Sequence, residues 1–205
     1  MSDLGLQRVG PTIGGSGTAA PFRADITGAQ AVTDTHGRYA EAARRGRMFY
    51  AASQAATTWS VALNATHTGL CVYNPPNTGY NLEILQVGFA LSVAPGAISH
   101  VGLFGGFLAA GVTTHTTALV PGCTLIGAAA GVGKADAACA LPGTPVWVIP
   151  FLSGFTASAL FATTPAIVDV AGSIIVPPGG YVGIGALTAV VGFGSVIWEE
   201  VPILA

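Results

Sequence analysis

The chain has 205 residues, 51% of them hydrophobic and only 8% charged, with a net charge of −2. That length suits one domain with an appended arm, and the charge excludes a nucleic-acid binder, which would carry a strong basic footprint. An ordinary soluble domain is about 25% charged, so the surface must be unusually neutral or covered by other chains, and the scarcity of charge favours cover.

In chain order, residues 1–33 are rich in Gly, Thr, Ala and Ser, show no sustained period, and read as an extended arm that orders only against a partner. Asp34 then stands as an N-cap for a helix over 35–45, with Tyr39, Ala42 and Ala43 on one face and Gly46 as the C-terminal left-handed residue. Glu41 is placed to pair with Arg44 and Arg45. Six of the seven basic residues lie in the first 47 positions, whereas only 6 of the 155 residues from 51 onward are charged. Segment 1–50 is therefore expected to attach a β domain, 51–205, to its partner.

From Thr57 to Leu63 the alternation predicts a strand with Trp59, Val61 and Leu63 on one face. The most informative stretch follows, Leu70 to Leu91. An apolar run ends at Tyr73, Asn74-Pro75-Pro76-Asn77-Thr78-Gly79 breaks it, and a second run from Leu82 to Leu91 is interrupted only by Glu83 and Gln86. Each proline fixes φ and removes a backbone donor. The pattern reads as strand, turn, strand, hairpin-like, with the second strand buried on both faces.

Beyond it, Pro-Gly punctuation recurs at 95–96, 121–122, 142–143 and 177–180. It separates short apolar runs at 98–107, 118–120, 146–152, 167–170, 174–176, 181–190 and 196–203. Many short strands with a single helix indicate an all-β sandwich or barrel. Val182, Ile184 and Ala186 share a face, and Gly183 and Gly185 opposite them would admit another backbone. Residues 127–134, GAAAGVGK, are low in complexity and read as a mobile loop.

Chemical motifs are sparse. Gly127 to Lys134 misses the phosphate-binding loop by one residue, and Ala135 stands where Ser or Thr would hold magnesium. There is no GxSxG or HExxH, and His36, His67, His100 and His115 are widely spaced. His115 with Cys123 is the nearest approach to a metal pair, and each reads better as structural. Glu199 and Glu200 fall on opposite faces of a strand and cannot work together as acid and base within it. No enzyme and no cofactor are expected. Three cysteines, Cys71, Cys123 and Cys139, read as buried thiols, with a Cys123–Cys139 bridge left open. The N-terminus lacks a secretory core, and no run reaches the roughly 20 apolar residues of a spanning helix, so no membrane role is expected.

Two segments resemble small virion proteins of tailed bacteriophages, capsid cement (decoration) proteins in particular. One is Tyr39-x-Glu41-Ala42-x-x-Arg45-Gly46-x-x-Phe49. The other is Leu70-x-x-Tyr73-Asn74-Pro75-x-x-Thr78-Gly79-x-Asn81-Leu82. Pro76 and Tyr80 depart from the family's turn. The resemblance implies a jelly-roll-like β-sandwich subunit, trimeric, bound to the major capsid protein on the outside of an icosahedral shell assembled in the host cytoplasm. The expected docking residues are Tyr39, Ala42, Ala43, Arg44, Arg45 and Arg47. The competing expectation is a tail- or fibre-associated receptor-binding β protein.

Overall fold

The computed structural model describes residues 37–59, 63–93, 99–108, 114–153 and 166–203, the side chains of 152 and 153 excepted. The arm, the proposed Asp34 cap and Val61 lie outside these residues. The chain divides into two compact units, Met1–Ala40 and Glu41–Ala205.

The larger unit is all-β and sandwich-like, as the sequence pattern predicts. One antiparallel sheet has the order β10 (Ala166–Val176), β4 (Tyr80–Leu91), β12 (Val191–Pro202), β1 (Met48–Ala52), β7 (Gly122–Cys123), with β2 (Thr57–Thr58) also paired to β12. The other has the order β6 (Thr114–Leu119), β8 (Lys134–Ala140), β3 (Thr66–Tyr73), β11 (Gly180–Ala186), β5 (His100–Phe107), β9 (Val146–Ser153). The boundary at residue 50 is corrected: β1 pairs with both β12 and β7 and belongs to the sandwich. The strand expected over 57–63 is described only at Thr57–Thr58, and Trp59 and Leu63 join different apolar clusters.

The main core lies between the sheets. Ile84, Val87, Val196 and Trp198 of one sheet meet Leu70, Val72, Leu103 and Ile184 of the other in one cluster. A smaller cluster, Cys71, Phe104, Cys139, Leu141 and Tyr181, comes from residues of opposite parity on the second sheet. It therefore covers that sheet's far face. Phe104 lies across Gly183 and Gly185, where an added Cβ would collide with its ring. Those glycines admit the Phe104 ring, and at Gly183 the backbone carbonyl of Leu70 would also lie 3.0 Å from an added Cβ, so both an aromatic side chain and a neighbouring backbone come close.

The pair around 74–79 is not a hairpin. β3 and β4 sit in different sheets, and so do β10 and β11, so both proline turns are crossings from one layer to the other. Fully buried Asn74 ties the two crossings together. Its Nδ2 donates to Tyr80 O (2.7 Å) and Val176 O (3.0 Å), and Thr78 Oγ1 donates to its Oδ1 (2.7 Å). Its backbone N donates to Gly180 O (3.0 Å), and Gly179 N donates to its carbonyl (2.8 Å). Positive φ at Asn77 (62°) and Gly79 (74°) turns the chain between Pro76 and Tyr80.

The apolar run of β4 has a different origin from burial on both faces. Against β12, Gln86 pairs with Ile197 and Ile84 with Trp198, so Leu85 is an extra residue, a β-bulge. The inward set changes parity there, from Leu82 and Ile84 to Val87, Phe89 and Leu91. Leu85 itself is buried beside the excursion of β10 at 170–173.

Candidate functional site

Of the expected docking residues, Ala42, Ala43, Arg44, Arg45 and Arg47 lie in the second unit just ahead of β1. The helix is shorter than expected, α1, Ala40–Arg44. In the first unit, Tyr39 lies in the turn before it, with the Arg38 guanidinium 5.4 Å from its ring centroid. Both alanines are half-buried. The C-terminus follows the sequence: Gly46 takes φ +66°, Gly46 N donates to Ala43 O (3.0 Å), and Arg47 N donates to Ala42 O (3.1 Å). These two bonds form a Schellman cap and aim the chain into β1.

The arginines find acidic partners within the chain. Arg45 Nη2 is 2.8 Å from Glu41 Oε1 in an exposed i,i+4 pair, worth a few tenths of a kcal/mol. Arg47 Nε donates to Glu199 Oε1 at 3.0 Å, and its Nη2 contacts the same oxygen. Arg44, Arg45 and Arg47 line a cavity of about 620 Å³. Its wall is formed by Phe49, Leu125 and residues 128–132, with Tyr80, Glu200 and Pro202 closing it.

That wall is held by a carboxylate. Glu200 points away from Glu199, as strand alternation requires, and is 6% exposed. Its Oε1 accepts from Gly133 N (2.8 Å) and Trp198 Nε1 (3.4 Å), and its Oε2 accepts from Val132 N (3.0 Å). Two successive backbone N–H groups aimed at one anion form a nest. The segment that misses the phosphate-loop pattern thus binds an anion from its own chain. The mobile-loop expectation is corrected for 132 and 133, whose backbone N–H groups are held by Glu200 of β12.

A second polar cluster lies on the β3–β8–β6 side. Asp136 is fully buried, its Oδ2 2.8 Å from His115 Nδ1, while His115 Nε2 is 3.2 Å from Tyr73 Oη. The His115 and Tyr73 rings stack with centroids 4.8 Å apart. Burial pushes the Asp136 carboxyl up, with His115 pulling it partly back. Burial, followed by the Asp136 charge, pushes the Tyr73 phenol up, so it is a poor nucleophile. The cluster's evident service is mechanical. Every residue of β6 but Leu119 is exposed, and His115 fastens this edge strand to β8 and β3. His115 is thus engaged away from Cys123, which belongs to the inter-sheet core. All three cysteines are free thiols, and Cys139 together with burial pushes the Cys71 thiol well up.

Among the described residues, no three His, Cys, Asp or Glu side chains gather as metal ligands. No helix among them is long and apolar enough to cross a membrane.

His67 is 3% exposed, its ring edge-on to Phe104 at 4.7 Å, and burial lowers its pKa from 6.5 to about 4. The unfolded chain therefore binds the proton more readily. Stability is fully present above pH 6.5 and drains away as pH falls toward 4, by about 2 kcal/mol between pH 7 and 5. Asp136, raised by burial, acts in the opposite sense, gaining stability as pH falls through its folded pKa. Urea titrations of the wild type and His67→Phe should show this loss in the wild type and a much flatter profile in the variant. Parallel profiles would contradict the assignment to His67.

Apolar side chains also crowd the open edges. Phe107 and Val146 are each 63% exposed, Ile175 53% and Val148 42%. Together with neighbouring residues of β5, β9, β10 and β11 they line a groove of about 310 Å³ that contains no charged residue. β9 and β10 are edge strands of their respective sheets.

No protein-family model, curated protein or solved structure matches the chain.

Proposed function

We propose that the chain is a virion structural subunit, a capsid cement protein of a tailed bacteriophage that binds the outside of the shell as a homotrimer and stabilises it. The observation that carries this reading is the uncharged groove along the two edge strands, with Phe107, Val146, Val148 and Ile175 presented to solvent. Natural edge strands are usually blunted with charge, and a large exposed apolar patch normally marks an interface. Here the only charged residue on β9 or β10 is Asp169, whose Oδ1 accepts from Ala171 N (3.0 Å) within its own strand. The resemblance of segments 39–49 and 70–82 to cement proteins supplies the class, and the buried Asn74 gives the second segment a structural reason.

Assembly through such a surface is driven by apolar burial. The protein should sediment at about three times its 20.4 kDa chain mass. The value should barely change from about 50 to 500 mM salt, because screening weakens ion pairs and leaves apolar contacts. A monomer at micromolar concentration contradicts the trimer, and dissociation at high salt contradicts its apolar character. For the cement role, purified protein added to shells lacking it should raise the temperature at which they open by several degrees, since binding only the intact form stabilises it. An unchanged opening temperature with protein present in excess would contradict that role.

A further inference from the structure

We propose that the cavity beside β1 binds an extended, carboxylate-bearing segment of a partner protein, its acidic side chains held by Arg44, Arg45 and Arg47. This inference rests on the docking reading above and names the chemistry that the site recognises.

The lining has a net positive face. Three of its residues are arginines, and its one acidic residue, Glu200, has both carboxylate oxygens engaged by Val132 N, Gly133 N and Trp198 Nε1. The carboxylates that pair with Arg45 and Arg47, from Glu41 and Glu199, lie outside the lining. A guanidinium carries five N–H donors in a planar fork, so one carboxylate partner does not exhaust it. The side chains of Arg45 and Arg47 remain 55% and 44% exposed.

The other wall argues for a peptide. Among the described residues, the backbones of Ala129 and Ala130 enter no hydrogen bond, and both residues are exposed along the cavity. Small side chains and an unbonded backbone in this loop leave main-chain groups for a second extended chain to pair with. As in peptide recognition by strand addition, main-chain bonds would supply affinity and the arginines specificity. The Glu200 nest holds the neighbouring residues 132 and 133, so this wall is anchored before any ligand arrives, which lowers the entropic cost of binding.

The test is a titration of the full ¹⁵N-labelled chain with two capped hexapeptides, one alternating alanine and glutamate, the other alanine and glutamine. The glutamate peptide should shift the amides of 128–131, and its Kd should weaken about tenfold from about 20 to 200 mM salt. The glutamine peptide should bind at least about tenfold more weakly. Arg44→Gln/Arg45→Gln/Arg47→Gln should lose the shifts. Ala130→Pro, which deletes one N–H in an exposed loop, should weaken binding while keeping the melting temperature. Absent shifts, equal binding of the two peptides, or binding undiminished in the triple variant would overturn the proposal. The same shifts with citrate would overturn the peptide assignment in favour of a small-anion site. Failure here with the chain seated on a virion shell removes only the cavity's role. Peptide binding by a chain absent from shells removes only the docking reading.

Discussion

Replacing Ile84 with aspartate should abolish the folded state. Ile84 is fully buried in the inter-sheet cluster, on the strand that pairs with both β10 and β12. A carboxylate there meets apolar neighbours, and an unpaired buried charge costs several kcal/mol or is neutralised at the cost of a large pKa shift. A domain of this size has only about 5–15 kcal/mol of net stability. The expected outcome is aggregation on expression or loss of the near-ultraviolet signal of the buried Trp59 and Trp198. Ile84→Val, which removes one methylene, should cost only about 1 kcal/mol and remain folded. A soluble Ile84→Asp protein with an unchanged melting temperature would contradict the placement of β4 in the core.

The second large effect is expected at Glu200. Glutamine keeps the shape but offers one acceptor oxygen and turns an NH₂ group toward backbone donors. At least one of Val132 N, Gly133 N and Trp198 Nε1 then loses its acceptor in a largely buried site. Charge-assisted bonds of this kind and the resulting orphan donor together amount to roughly 2–4 kcal/mol. For a chain of this length that lowers Tm by about 5–15 °C. The loss should be local as well as global, with amide exchange at 132 and 133 accelerating before the rest of the sandwich opens. An unchanged melting curve with protected amides would show that the nest does not hold the loop.

The strands that could be read from the sequence were those with a compact apolar run between proline or glycine signals, β4, β5, β9 and β12 among them. β8 was illegible because Lys-Ala-Asp-Ala-Ala-Cys-Ala has no β-branched or aromatic residue, its burial being set by its place between β3 and β6. β1 was hidden because Met48–Ala52 is a short run in which only Phe49 and Tyr50 favour a strand, and its pairing with β12 and β7 is long-range. The hairpin expected at 74–79 is a crossing between layers, because neighbours in sequence need not be neighbours in a sheet. Nothing local distinguishes a turn within a sheet from a crossing between sheets, and the decisive bonds from Asn74 reach Val176 and Gly180, about a hundred residues away.

The site was partly legible. The basic cluster and the Gly46 cap are local features, and Arg44, Arg45 and Arg47 do converge on one cavity. The long-range partners Glu199 and Glu200 could not be assigned from spacing. The usable signal for the nest was the glycine-rich run itself, whose side-chain-poor backbone can present N–H groups to an anion whether or not the phosphate-loop spacing is met.

The docking reading is tested most directly by an electron cryo-microscopy map of the virion that carries this chain. The account predicts density for the β-sandwich on the outer face of the icosahedral shell, in three-fold clusters, with Phe107, Val146 and Ile175 covered by neighbouring copies or by the shell protein. Density confined to the tail or fibres, or absent from the particle, would contradict it.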